Sequence, residues 1–456
     1  MSHPMFTYEP GMGETIFEYC RTRLSLDPIP LDYGGIRDDP AALIEGLINE
    51  HGNDPVKVLE LFATDLATAV ISIDSPRFLA FIPNAPTKAS LLFDMVVSCS
   101  SLNGTSFLES AGIVVAENQL LSFLAERAGM PSTSGGTFVS GGSLGNLSAL
   151  AVARDDGRRN HPAVDPRHLR VAISGEAHSS IGSALHLLGM DPVIVASRDH
   201  VMTADALREA LDADDDPESI VAVVATAGTT NAGIVDELEG IGQLTKERGM
   251  WYHVDAAYGG AAMLSTTRRH LFEGLRHADS FIVDPHKWLF APLDCCALVY
   301  REPRLARVTH TQHASYLDVL HVPDDEGEVE WNPSDYAVHL SRRARGMPMW
   351  YSLAVHGTAL YADAIDRAVW TTEEAAALIT ASDHVELCRD PTLSIVLFRR
   401  IGWSASDYYE WSRRLLADQV AMVTPSKWEG ETVARFAFLH PDTTIAIVTE
   451  VLDSMR

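Results

Sequence analysis

Cysteine is scarce in this chain, basic residues are outnumbered by acidic ones, and no long apolar run occurs. The five cysteines among 456 residues (Cys20, Cys99, Cys295, Cys296 and Cys388) are odd in number and form no CxxC pair. That usage suits a reducing compartment and argues against a disulfide framework. Lysine and arginine total 35 against 62 aspartates and glutamates, a formal net charge of −27. Such a balance repels phosphate backbones and anionic membranes, so neither nucleic acid nor a membrane is an expected partner. An anionic ligand would need a pocket made locally positive by helix N-termini and a few basic side chains. The opening residues, MSHPMFTYEP, lack a basic stretch followed by an apolar core. No apolar run approaches the roughly 18 residues of a membrane span, so a cytoplasmic protein is the expectation.

What is present is apolar residue enough, 46%, for a large core and a second, smaller domain; a disordered chain is excluded. Over 14–72 the pattern is helical: IFEYCRTRL, AALIEGLINEHG and PVKVLELFATDLATAVISI, separated by Pro28, Pro30 and a Gly34-Gly35 turn. These amphipathic helices bury too little alone and are expected to pack elsewhere on the molecule or on a second subunit. PRFLAFIPNAPT (76–87) reads as extended and leads into a helix from about Lys88 to Ser98.

From 169 onward, short apolar runs alternate with helical ones. LRVAIS, PVIVAS, SIVAVVAT, WYHVD, SFIVD and CALVY read as strands; SSIGSALHLLG, TADALREALDA and VDELEGIGQLTKERG read as helices. The pattern predicts an α/β fold with a mostly parallel central sheet covered by helices on both faces. Residues 302–333 break it, and we read them as a mobile active-site loop. From Met347 a helix leads to strands HVELC, LSIVLFRR and VARFAFL and helices SDYYEWSRRLLADQ and TTIAIVTEVLDSM, a small C-terminal α+β domain.

In such sheets ligands sit beyond the carboxyl ends of strands, where His178, residues 226–230, Asp255 and Lys287 all fall. TFVSGGSLGNLSALAVARD (137–155) reads as strand, glycine turn and helix, a geometry that suits a phosphate on Ser143 and the helix N-terminus. An ordinary tight turn or a dinucleotide site would share that pattern. Lysine is ordinarily a surface residue, yet Lys287 is flanked by Phe281, Ile282 and Val283 and by Trp288, Leu289 and Phe290. A lysine taken out of water beside the strand-end carboxylate Asp255 suits a Schiff base to pyridoxal phosphate, with Asp255 on the pyridine nitrogen. His178 would lie flat on one face of that ring and small Ala257 on the other. Thr229 and Thr230 supply hydroxyls on a turn.

HVDAAYGG, DPHKWL, AHSS, GTT and SGGSLGN, in this arrangement, resemble the group II pyridoxal-phosphate-dependent amino-acid decarboxylases, the family of aromatic-L-amino-acid and glutamate decarboxylases. The resemblance implies a fold type I homodimer that decarboxylates an L-amino acid through a Lys287 aldimine and a quinonoid. Three parts are implied: a helical segment over 1–86 that wraps the partner, a large cofactor domain over 87–346 and a small domain over 347–456. Lys287, Asp255, His178 and Tyr316 match catalytic positions, Tyr316 as the loop tyrosine that reprotonates the substrate carbon, reaching in from the neighbouring subunit. Gly142, Ser143, Thr230, Ala257 and His286 match cofactor contacts. Phe81, Ile82, Asn84, Asn103, Thr105 and Arg435 match the substrate side, Arg435 with a structural role equally open; Asn103 and Thr105 imply a more polar pocket than an indole or phenol needs. Asp284 stands where several members have asparagine. No metal is implied. Two alternatives stay open: oxidative deamination or transamination on the same scaffold, and a dinucleotide-binding or regulatory α/β protein that uses the 137–155 loop.

Overall fold

The computed structural model of the chain describes residues 3–32, 40–323 and 329–456; the Gly34-Gly35 turn lies outside them. Helix α1 (Pro10–Leu24) starts at a proline, with the Glu9 carboxylate on its first N–H groups. Next come α2 (Pro40–Ile44) and α3 (Pro55–Leu61), both shorter than predicted. After α3 the chain tightens into a π turn and a 3-10 turn. There Thr64 and Thr68 hydroxyls donate back to the carbonyls of Glu60 (2.9 Å) and Thr64 (2.8 Å), competing with the helical ladder. Helix α4 (Lys88–Cys99) follows, then α5 (Phe107–Arg127), which no sequence pattern above anticipates.

The main sheet uses β1 (Gly135–Val139), β2 (Arg170–Ser174), β3 (Asp191–Val195), β4 (Ile220–Thr226), β5 (Trp251–Asp255), β6 (Ser280–Val283) and β7 (Cys296–Tyr300), in the order β1-β7-β6-β5-β4-β2-β3. Only β7 runs against its neighbours. Helices α6 (Gly142–Asn160), α7 (Ser179–Leu188), α8 (Ala204–Ala213) and α9 (Leu238–Arg248) join the strands. Buried side chains fall into two large clusters on the two faces: Tyr252 and Val254 of β5 in one, Trp251 with Ala149 and Leu150 of α6 in the other. This is the predicted mostly parallel, doubly covered sheet. Its strand ends put the loops after β1, β2, β4, β5 and β6 along one edge.

The described part of 302–333 is less irregular than expected, and 324–328 lie outside the described residues. Helix α10 (Pro303–His310) occupies the first part, started by Pro303 at its N-terminus. Helix α11 (Met347–Thr380) then crosses from the main core to a second one, kinking at Gly357, whose φ is +73°. The smaller antiparallel sheet contains β8 (Val385–Leu387), β9 (Ile395–Arg400), β10 (Ser426–Trp428) and β11 (Glu431–Ala437) in the order β10-β11-β9-β8, with α12 (Ala405–Ala417) and α13 (Ile445–Asp453). Residues 78 and 79 dock on this part, Leu79 N–H donating to Met422 and Ala437 N–H donating to Leu79.

Candidate functional site

The strand-end edge holds a cavity of about 310 Å³, lined by residues from all five of its loops. Lys287, Asp255, His178, Gly142, Ser143, Thr230, Ala257 and His286 all line it, so eight residues singled out from separate stretches of sequence converge. Glycine lets the loops close. Gly228 has φ +114°, and a Cβ there would lie 2.9 Å from the Gly259 backbone. A Cβ on Gly142 would come within 3.3 Å of Ala257.

Helix α6 begins at this cavity without a side-chain cap, whereas Thr87, Ser106, His178 and Thr203 cap α4, α5, α7 and α8. Its first N–H groups, on Gly142 and Ser143, therefore point positive charge at the cavity, with no side-chain cap among the described residues. His286 stands beside them, its Nδ1 2.7 Å from the Cys295 carbonyl. Burial holds this ring below the usual histidine range despite Asp284, so it acts as a neutral hydrogen-bonding group.

Lys287 Nζ lies 2.9 Å from Asp284 Oδ2, the aspartate 2% exposed and the lysine 21%. Burial works against the ammonium, yet Asp284 first and Asp255 second outweigh it and raise the lysine above its usual value. The aspartate that departs from the resemblance thus serves as counter-ion to the lysine in this chain. Asp255, at the end of β5, accepts from Asn146 Nδ2 (2.9 Å) and from the Ala257 N–H (3.1 Å). His178 caps α7, its Nδ1 accepting from the Ser180 N–H (3.2 Å).

Other predicted residues are not at the cavity. Tyr316 is 70% exposed beyond α10. Asn103 and Thr105 use their polar atoms on one another and on α5: Thr105 Oγ1 donates to Asn103 Oδ1 (2.6 Å), and Asn103 Nδ2 donates to Glu109 (2.7 Å). Within this subunit these groups build the start of α5. Arg435 is buried, and donates to the carbonyls of Asn231 (3.0 Å), Phe81 (2.6 Å) and Thr230. Its guanidinium is spent on backbone, bracing the Thr230 turn and Phe81, which is held at φ +52°. Ile82 packs on the main core, and Asn84 is buried with Oδ1 unpartnered among the described residues.

The chain's own reading missed Asn146, Ser180 and Tyr258, which also line the cavity. Helical spacing carried a signal for Asn146, one turn after Gly142 on the same face of α6.

The donor set fits pyridoxal phosphate. There are uncapped N–H groups for a phosphate, a carboxylate for a ring nitrogen, a lysine for an aldehyde, and the buried Thr226 hydroxyl, unpartnered among the described residues. Its volume is at the small end of ligand sites. Comparisons with known proteins agree. The family model described as "Pyridoxal-dependent decarboxylase conserved domain" matches residues 40–401. An aromatic-L-amino-acid decarboxylase of Bacillus atrophaeus is 29% identical over 421 residues, 90% of this chain and 86% of that one. An L-2,4-diaminobutyrate decarboxylase of Acinetobacter baumannii is 29% identical over 364 residues, 75% and 70% of the two chains. The crystal structure of Oryza sativa TDC with PLP and tryptamine superposes with a TM-score of 0.86 over 99% of this chain and 100% of that one, at 24% identity, which makes the fold that of type I. The chain belongs to the pyridoxal-dependent decarboxylases and is a carboxy-lyase that uses pyridoxal phosphate.

Proposed function

We propose that the enzyme removes the α-carboxylate of an L-amino acid with a neutral or basic side chain, releasing carbon dioxide and the amine. The observation that carries this reading is the convergence of Lys287, Asp255, His178 and the uncapped start of α6 on one cavity. Bound pyridoxal phosphate supplies the electron sink for the pair left when the carboxylate departs. Lys287 would hold the cofactor through its aldehyde, and Asp255 would keep its ring nitrogen protonated. His178 and Ala257 would hold the ring in place. Gly142, Ser143, Thr230 and His286 bind at the phosphate end.

The scarcity of cations on this subunit's side of the cavity supports the side-chain assignment. Among the described residues Lys287 is the one lysine or arginine there, and Arg435 is engaged by three carbonyls. An acidic side chain would find no paired cation, and a buried unpaired charge is strongly disfavoured. Phe81 and Ile82, which the resemblance matches to the substrate side, would offer an apolar wall to such a side chain.

Tyr316 returns the proton to the substrate carbon from the neighbouring subunit of a homodimer; its exposure away from its own cavity supports that origin. In this reading 1–86 is the segment that contacts the partner, 87–346 the cofactor domain and 347–456 the small domain. A panel of L-amino acids is assayed for carbon dioxide, amine and hydrogen peroxide together. Equal carbon dioxide and amine from a neutral or basic substrate is expected. Peroxide with loss of amine would support the oxidative alternative, and fastest turnover of glutamate or aspartate would refute the side-chain assignment. Lys287→Ala should abolish the cofactor's lysine-linked visible band and turnover; survival of both would refute the site.

A further inference from the structure

Trp251, His253 and Asp255 alternate along β5 and so share one face of the sheet, the face that α6 covers. Behind Asp255 a line of buried polar groups runs along that face. Trp251 Nε1 donates to Ser280 Oγ (3.0 Å), which lies 2.8 Å from His253 Nδ1. His253 Nε2 lies 2.9 Å from Asn146 Oδ1. Asn146 Nδ2 donates both to Asp255 Oδ2 (2.9 Å) and to Ser180 Oγ (3.0 Å), and Ser180 Oγ lies 2.8 Å from His178 Nδ1.

Donor chemistry orders every proton in this line. A carboxylate only accepts, so the Asn146 amide turns its NH2 to Asp255 and its oxygen to His253. That oxygen only accepts, so His253 carries its hydrogen on Nε2 and accepts the Ser280 hydroxyl at Nδ1. Burial pushes His253 down to about 4, against the pull of Asp255, so the ring stays neutral at physiological pH. At the far end Ser180 accepts from Asn146 and donates to His178 Nδ1, which also accepts the Ser180 N–H. His178 therefore carries its hydrogen on Nε2.

We infer that Asn146 is a positioning residue: its one amide ties the carboxylate at the ring nitrogen to the histidine on the ring face, and His253 behind it fixes which way the amide points. The inference rests on the roles proposed above for Asp255 and His178. Among the described residues Asp255 accepts two N–H groups, from Asn146 and Ala257; without Asn146 it keeps one of these, and Ser180 is free to turn from His178.

The test uses the full-length protein, with two readouts besides activity. One is the dissociation constant of pyridoxal phosphate from the cofactor-free protein, followed by tryptophan fluorescence. The other is the pH midpoint of the loaded enzyme's visible absorbance. Asn146→Ala is expected to weaken cofactor binding about tenfold and to move the midpoint by about one unit, the size of one lost charged hydrogen bond. His253→Leu should behave alike. His253→Gln, whose amide N–H can still reach Asn146 Oδ1, should recover most of that loss. Should Asn146→Ala fail to fold, Asn146→Asp keeps the shape and sets an acceptor against Asp255, with an equal or larger loss expected. Binding and midpoint unchanged in either folded Asn146 variant, or Gln and Leu at 253 indistinguishable, would overturn the inference. Asp255→Ala separates the two levels. If it shifts both readouts while Asn146→Ala shifts neither, the Asn146 role alone falls; if it too shifts neither, the site reading falls.

Discussion

Replacing Glu117 by glutamine should lower the thermal midpoint by a few degrees, because the glutamate answers a fully buried arginine. Glu117 of α5 and Arg342 form a two-pronged pair, Nη1 to Oε2 at 2.7 Å and Nη2 to Oε1 at 2.9 Å, each side chain 2% exposed. Glu117 Oε1 also accepts the Gly346 N–H at the start of α11 (2.8 Å), and Arg342 Nη1 also donates to the Gly104 carbonyl (2.6 Å). Thr105 Oγ1 accepts the Arg342 N–H (3.2 Å). The pair thus clamps residues 104–105 to the root of α11. Glutamine keeps the shape, removes the charge and must turn its NH2 toward a group that only donates. Breaking one side of a buried pair costs about 3–5 kcal/mol, a large part of the roughly 5–15 kcal/mol of a typical native state. With an unfolding entropy of about 2.1 cal/mol/K per residue, the 456-residue chain loses about 1 kcal/mol per degree, so the midpoint falls by about 3–5 °C. Calorimetry at one protein concentration with saturating cofactor measures it. The double change Glu117→Leu with Arg342→Met removes both charges and should recover most of the loss. A single variant within about 1 °C of the parent, or a double variant worse than the single, would refute the reasoning.

Asp284→Asn removes the nearer of the two carboxylates that raise Lys287. More of the lysine is then free amine at neutral pH, and cofactor-free protein should capture pyridoxal phosphate faster, about tenfold per unit of lowering, in stopped-flow absorbance; a slower capture would contradict the counter-ion role. His200 lies 2.9 Å from Glu176 and 3.4 Å from Glu429; burial lowers its pKa, but the two carboxylates outweigh that and leave it raised. A raised histidine stabilises fully below its unfolded value of about 6.5 and loses that contribution as pH rises through the folded value. The urea midpoint of His200→Gln should therefore fall furthest behind the parent near pH 6 and match it near pH 9; a gap that widens toward alkaline pH would sink this account.

How far the molecule was legible depended on whether a residue's role followed from its position along the backbone or from the direction its side chain takes. WYHVD and CALVY coincide with β5 and β7 because each is short, wholly buried and flanked by turns. The ends of such strands then dictate where loops deliver chemistry, and so the sequence alone brings Lys287, Asp255 and His178 together. Helix α5 went unread because Ile113, Val114 and Val115 carry strand character and Gly112 interrupts the helical pattern, although Ser106 with Glu109 offers a cap. Arg435, Asn103 and Thr105 stand in the stretches that the resemblance assigns to substrate, but their donors are taken nearby by backbone carbonyls, the Glu109 carboxylate and the Asn103 amide oxygen respectively, a competition that spacing does not reveal. Asn146 and His253 lie at the opposite limit. Each is a polar residue inside an apolar stretch, at one turn from Gly142 and two residues from Asp255 respectively. Burial of such groups is costly unless every hydrogen bond is made. Since both stand on the face that carries Asp255, the periodicities of helix and strand require them to find partners there: the carboxylate is the acceptor within reach of Asn146, and the Asn146 oxygen that of His253.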